Sequence, residues 1–153
     1  MTFEIPAPLK AEHDELHAQL AKATQAPGAV GEAAREVARL LHPHFVKEEQ
    51  FALPALGLLA DVVRGALRAE MADVVPVTRR LRAELPAMFA EHRQIVVALD
   101  KLQAAAREAH LPEFAHFALT LKRHAETEEL VLYPAAILLG EHLARVLQEE
   151  PVL

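Results

Sequence analysis

A histidine followed four residues later by a glutamate occurs twice in this 153-residue chain. The pairs are His44–Glu48 in "HPHFVKEEQFALPAL" and His124–Glu128 in "KRHAETEELVLYPAA". Residues four apart on a helix share one face, a turn apart, so each pair sends an imidazole and a carboxylate in one direction. Two more histidines, His13 and His92, lie in matching stretches, "AEHDELHAQLAK" and "AEHRQIVVALDK", on stripes otherwise filled by leucine and isoleucine. Four imidazoles and two carboxylates thus face one interior. Left unpaired there, each costs about 1–3 kcal/mol, in sum comparable to the whole stability of a domain. A cation removes that cost, because it takes neutral imidazole and carboxylate together. Nitrogen and oxygen donors without sulfur suit iron, manganese or zinc. Two carboxylates from related halves can each bridge two cations, with two histidines serving each. Coordination positions then stay open for a small diatomic molecule or a peroxide.

The rest of the chain must supply helices to hold these groups. It is 52% hydrophobic and rich in alanine, leucine and glutamate, with one tyrosine, six phenylalanines and five glycines. Such side chains lose little freedom in a helix. Periodicity predicts four long helices: Pro8 to Thr24, Glu32 to Leu53, Thr78 to Ala109 and Pro112 to Leu132. Pro43 should kink the second and Pro86 bend the third, while Pro54 ends the second. Residues 55–77 read as a connecting excursion with one short amphipathic helix, and a last short helix follows Pro134. The second half copies the first, residues 9–56 onto 88–136. The shift is 79 for His13 and His92 and 80 for the His–Glu pairs. Two helical hairpins related by a pseudo-two-fold axis make an all-α, antiparallel up-down four-helix bundle. A single domain over residues 1–153 is expected.

Other classes drop out. Without cysteine there is no disulfide, thiol nucleophile or cysteine-held iron–sulfur cluster. A formal charge of −6 repels a nucleic-acid backbone. The opening "MTFEIPAPLK" lacks the order of a secretory signal, and runs such as "ALPALGLLA" are too short to cross a bilayer. The expectation is a cytoplasmic protein with no nucleic-acid or membrane partner; a protein partner is left unspecified. Ferritin-like centres need Glu-x-x-His twice, and the chain has it once, at Glu113–His116. The zinc-protease signature His-Glu-x-x-His does not occur.

The pattern His13, His44-x-x-x-Glu48, His92, His124-x-x-x-Glu128, with "EEQFALP" and "EELVLYP" trailing, resembles the hemerythrin-like (HHE cation-binding) domains over nearly the whole chain. The resemblance implies a left-handed four-helix bundle holding an oxo- or hydroxo-bridged pair of non-haem iron ions. It makes His13, His44, His92 and His124 terminal ligands and Glu48 and Glu128 bridges, with manganese or zinc as other occupants. Invertebrate oxygen carriers of this kind place a further histidine four residues along the third helix, where this chain has Val96.

Several residues sit beside this set. His17, a turn after His13, is a candidate fifth imidazole from the first helix, or else a half-exposed histidine at the bundle seam. Glu49 and Glu129 are read as acceptors for histidine N–H groups or as solvated charges. Tyr133 is placed at the bundle end with its hydroxyl wet, and His42, His110, His116 and His142 at the surface. The function expected is binding of dioxygen or nitric oxide at a di-iron centre for sensing, storage or delivery. The alternatives are an enzyme acting on nitric oxide or peroxide, an iron donor in repair of iron–sulfur centres, and a bundle stapled by metal.

Overall fold

A computed structural model describes residues 3–148, and among them there is no strand. The α-helices are α1 (Ala7–Thr24), α2 (Gly28–Lys47), α3 (Leu59–Val63), α4 (Val74–Glu108), α5 (Pro112–Thr127) and α6 (Tyr133–Gln148). Prolines at or next to the first position, Pro8 and Pro112, start α1 and α5, where a missing N–H costs nothing. α1 packs on α2 and α5, and α4 packs on the same two, so helices adjacent in sequence are adjacent in space. The result is the expected four-helix bundle, with α4 as its third long helix and α5 as its fourth.

Three boundaries differ from expectation. α2 begins at Gly28 (φ +67°), because "QAPGAVG" turns within three residues and Gly31 is already helical. α4 begins at Val74, since Pro76 falls in its first turn and does not break it. The fourth helix does not stop before Pro134. A wide π turn at Glu128–Leu132 joins α5 to α6, and a second π turn at Glu48–Ala52 extends α2. A proline lacks the N–H for the ordinary helical bond and clashes with the carbonyl four back. Widening the turn ahead of Pro134 relieves both, so the final helix is long. Pro43 and Pro86 both lie inside helices that remain continuous.

The apolar interior falls into two parts. One is built from Leu16, Val37, Leu41, Phe45, Leu99 and Leu121 between the four long helices. The other, from Phe51, Leu53, Met71, Leu81, Met88 and Leu139, lies under the excursion and α6. The excursion holds α3 between two 3₁₀ turns, Pro54–Leu58 and Ala69–Asp73. The composite helix Pro112–Gln148 is long and apolar enough to cross a membrane by length and composition alone. Here Tyr133, Ala136, Leu139 and Leu143 are buried on its inner face, and α6 lies against α4. That approach is close: a Cβ on Gly140 would stand 1.8 Å from Thr78 Oγ1. The His/Glu layer is carried between these two apolar parts.

Candidate metal centre

His13 sits on α1, His44 on α2, His92 on α4 and His124 on α5; Glu48 and Glu128 open the two π turns. All six are buried, none more than 5% exposed. Their ligating atoms fall into two groups whose members all lie within 4.8 Å of one another. One group is His13, His124, Glu48 and Glu128; the other is His44, His92 and the same two glutamates. Both carboxylates belong to both groups, and each group takes its histidines from two helices.

The buried polar atoms of this layer are short of partners. His13 Nδ1 and Nε2, both oxygens of Glu48, His124 Nε2 and Glu128 Oε2 make no hydrogen bond, although all are shielded from solvent. His44 Nε2 comes within 2.6 Å of Glu48 Oε1 without hydrogen-bond geometry, and it faces His92 Nε2 at 2.8 Å. His124 Nε2 lies 3.4 Å from Glu128 Oε2, His13 Nε2 3.6 Å from Glu48 Oε2, and His92 Nε2 3.5 Å from Glu128 Oε1. Lone pairs crowded together with no donor between them are what a cation would satisfy. The donor set, four nitrogens and two carboxylates without sulfur, fits a pair of iron, manganese or zinc ions.

The outward nitrogens are organised differently. His44 Nδ1–H donates to Glu91 Oε2 at 2.7 Å, His92 Nδ1–H to Glu129 Oε1 at 2.9 Å, and His124 Nδ1–H to Glu12 Oε1 at 2.6 Å. Glu49 stands 3.8 Å from His13 Nδ1, outside hydrogen-bond range. A carboxylate on Nδ1 fixes the tautomer, so each ring turns its Nε2 lone pair inward. Glu91 is held in turn by the Lys47 ammonium. Glu129 thus acts as an acceptor, as its position after the bridge suggests, and Glu49 is a partly solvated charge. Glu12 and Glu91 are additions that the sequence reading missed. Their signal lies in the repeat: "AEH" at 11–13 and again at 90–92 duplicates the glutamate along with the histidine. Replacing Glu12 or Glu91 by alanine is expected to weaken metal binding by about 10–100-fold. Competition against a chelator measures this, and wild-type affinity in both variants would show these carboxylates to be bystanders.

Burial and charge set the protonation of the metal-free cluster. Burial and the neighbouring charge of Glu48 raise the Glu128 pKa well above the ordinary carboxylate range. Burial pushes Glu48 the same way, but its neighbour Glu128 and the charges of His44 and His13 outweigh it and lower the pKa. The two facing carboxylates are thus pushed apart in pKa, Glu128 up and Glu48 down. Burial lowers the His13 pKa. His44 is lowered by burial too, yet Glu48 and Glu91 more than reverse this and raise it.

One placement departs from expectation, and another falls on the second of two alternatives. Tyr133 is fully buried, with its hydroxyl 3.3 Å from His92 Nε2 and its ring stacked against the His92 ring. In an α-helix, five residues carry a side chain about 140° away from Glu128. The π turn, closed by Tyr133 N–H to the Glu128 carbonyl, brings it back to the same face. His17 joins neither metal group. The Phe45 ring comes between, stacked on His13 at 4.2 Å and edge-on to His17 at 4.8 Å. His17 is thus a half-buried seam residue, and His42, His110, His116 and His142 are exposed.

The model of the hemerythrin HHE cation-binding domain matches residues 5–136. The chain belongs to the hemerythrin HHE family. Cation binding is what that description names, and the six buried groups lie inside the matched segment. No curated protein and no solved structure matches the chain significantly. In this HHE domain the two cation groups share Glu48 and Glu128 while drawing their histidines from opposite pairs of helices.

Proposed function

We propose that this chain is a non-haem di-iron protein that binds a small diatomic molecule, dioxygen or nitric oxide, for sensing, storage or delivery. The observation that carries the reading is the doubled donor set. Two four-residue groups share two buried carboxylates, and the chain has no cysteine. His13 and His124 would hold one ion, His44 and His92 the other, with Glu48 and Glu128 between them. Iron held there would supply reversible one-electron chemistry and room for a small ligand. The chain's own contribution is to fix three of the four imidazoles, His44, His92 and His124, by their Nδ1–H partners, to hold the layer dry between two apolar clusters, and to bring one hydroxyl, that of Tyr133, against His92.

That hydroxyl bears on the alternative, an enzyme acting on nitric oxide or peroxide. Burial and the surrounding carboxylates push the Tyr133 pKa up, so it keeps its proton. It can donate a hydrogen bond at this end of the centre. We rank binding above turnover. Anaerobically reduced, iron-loaded protein exposed to air or to nitric oxide should change its visible spectrum and recover on degassing. Steady consumption of nitric oxide or peroxide would establish the enzyme instead. Full occupancy by zinc with no response would leave only a structural staple.

A further inference from the structure

The two halves of the bundle are alike in their ligands but not in the walls beside them. The groove between α4 and α5 has a volume of about 510 Å³, and His92, Val96, Val97, Ala125 and Glu129 line it. The groove between α1 and α2 holds about 230 Å³ and is lined by residues around His17 and His42, without His13. The repeat explains the difference. The shift of 79 carries His13 onto His92 and His17 onto Val96, and the shift of 80 carries Phe45 onto Ala125. On the first side Phe45 lies flat on His13, with His17 packed against its edge. On the second side the phenylalanine is an alanine and the histidine a valine, so no ring covers His92 from the groove.

We infer that the α4–α5 groove is the access route to the His44/His92 end of the centre, gated by Ala125 and Val96, while Phe45 closes the equivalent route to His13. The inference rests on the reading of the protein as a binder of small ligands. It also narrows the ligand. Val96 and Ala125 make an apolar floor with Val97 exposed at its edge, while the rim balances Arg93 and Lys122 against Glu126 and Glu129. A rim of balanced charge over an apolar floor suits an uncharged molecule of two or three atoms better than an ion. The Tyr133 hydroxyl, 3.3 Å from His92 Nε2, offers a donor at the same end of the centre.

The test is the rate at which nitric oxide binds the iron-loaded, anaerobically reduced protein in stopped flow. Ala125→Phe copies the arrangement that the first half already accommodates at Phe45. It should retain wild-type iron content and bind nitric oxide about tenfold more slowly or worse, since each event then waits for a ring to move. Phe45→Ala should bind no more slowly than wild type. If Ala125→Phe fails to load, Val96→Phe narrows the same passage from α4 and is read in the same way. Binding at the wild-type rate in a fully loaded Ala125→Phe or Val96→Phe protein overturns the route. A second measurement needs no reactive ligand: crystals of the wild-type protein under xenon should show the gas between α4 and α5. Xenon found only between α1 and α2 overturns the inference as well. Wild-type protein that ignores nitric oxide and dioxygen would sink the proposed function, and the xenon positions would still judge the groove.

Discussion

Two equivalents of ferrous iron, added without oxygen to the metal-free protein, should raise its thermal midpoint by about 10–20 °C. The free energy comes from buried atoms of His13, Glu48, His124 and Glu128 that make no hydrogen bond in the metal-free chain, five of them turned inward. Each such group costs about 1–3 kcal/mol, so the folded state carries a strain that cations relieve and the unfolded state does not feel. Ligand linkage gives about 3 kcal/mol per ion at a hundredfold excess over its dissociation constant. For a domain of this size each kcal/mol moves the midpoint by about 2–4 °C. Calorimetry with and without metal measures the shift. Zinc should stabilise comparably, since the donors suit it, but without a visible spectrum. A midpoint unmoved by iron, manganese and zinc alike would mean that the cluster satisfies itself with protons.

Glu128→Gln should cost the protein both ions, whereas His44→Ala should cost chiefly one. Glu128 appears in both four-residue groups, His44 in one. A neutral amide cannot balance two cations, so iron content should fall from about two per chain to well under one. The metal-free variant should behave differently. Glu128 has its pKa raised by burial and by the charge of Glu48. A group whose folded pKa lies above its unfolded value contributes stability below the unfolded value, and that stability is lost as pH rises through the folded one. Protonated glutamate and glutamine are both neutral donors of similar shape. Metal-free Glu128→Gln should therefore match wild type within about 1 kcal/mol in mild acid and exceed it as pH climbs. Urea denaturation of both proteins across that range gives the difference, in which contributions from His13 and His44 cancel. Loss of one ion in Glu128→Gln, or a variant that weakens relative to wild type on raising the pH, would remove Glu128 from its bridging place.

What the sequence revealed and what it hid follow from one distinction. Contacts within a helical turn are set by spacing, so His44–Glu48 and His124–Glu128 could be paired by counting. The internal repeat then brought in His13 and His92, because a duplicated histidine on an apolar stripe must face its copy. Contacts between helices depend on rotation and register, which spacing does not give. Glu12 meets His124 across α1 and α5, and Glu91 meets His44 across α4 and α2. The repeat duplicates both glutamates, yet nothing local says which ring each will reach. Tyr133 was misplaced because the count assumed an α-turn where the chain makes a wider one before Pro134. His17 shows the converse. It shares a stripe with His13, but the bulk of Phe45 from the neighbouring helix holds it out of the centre. The same substitution pattern, Phe45 against Ala125, separates two halves that otherwise look equivalent.

Anomalous scattering from crystals loaded with iron, recorded at the iron edge, examines the arrangement itself. Two peaks are expected, about 3–4 Å apart, one beside His13 and His124 and the other beside His44 and His92, with Glu48 and Glu128 reaching both. A solitary peak, or iron bound away from these six side chains, would contradict the shared centre on which every functional statement rests.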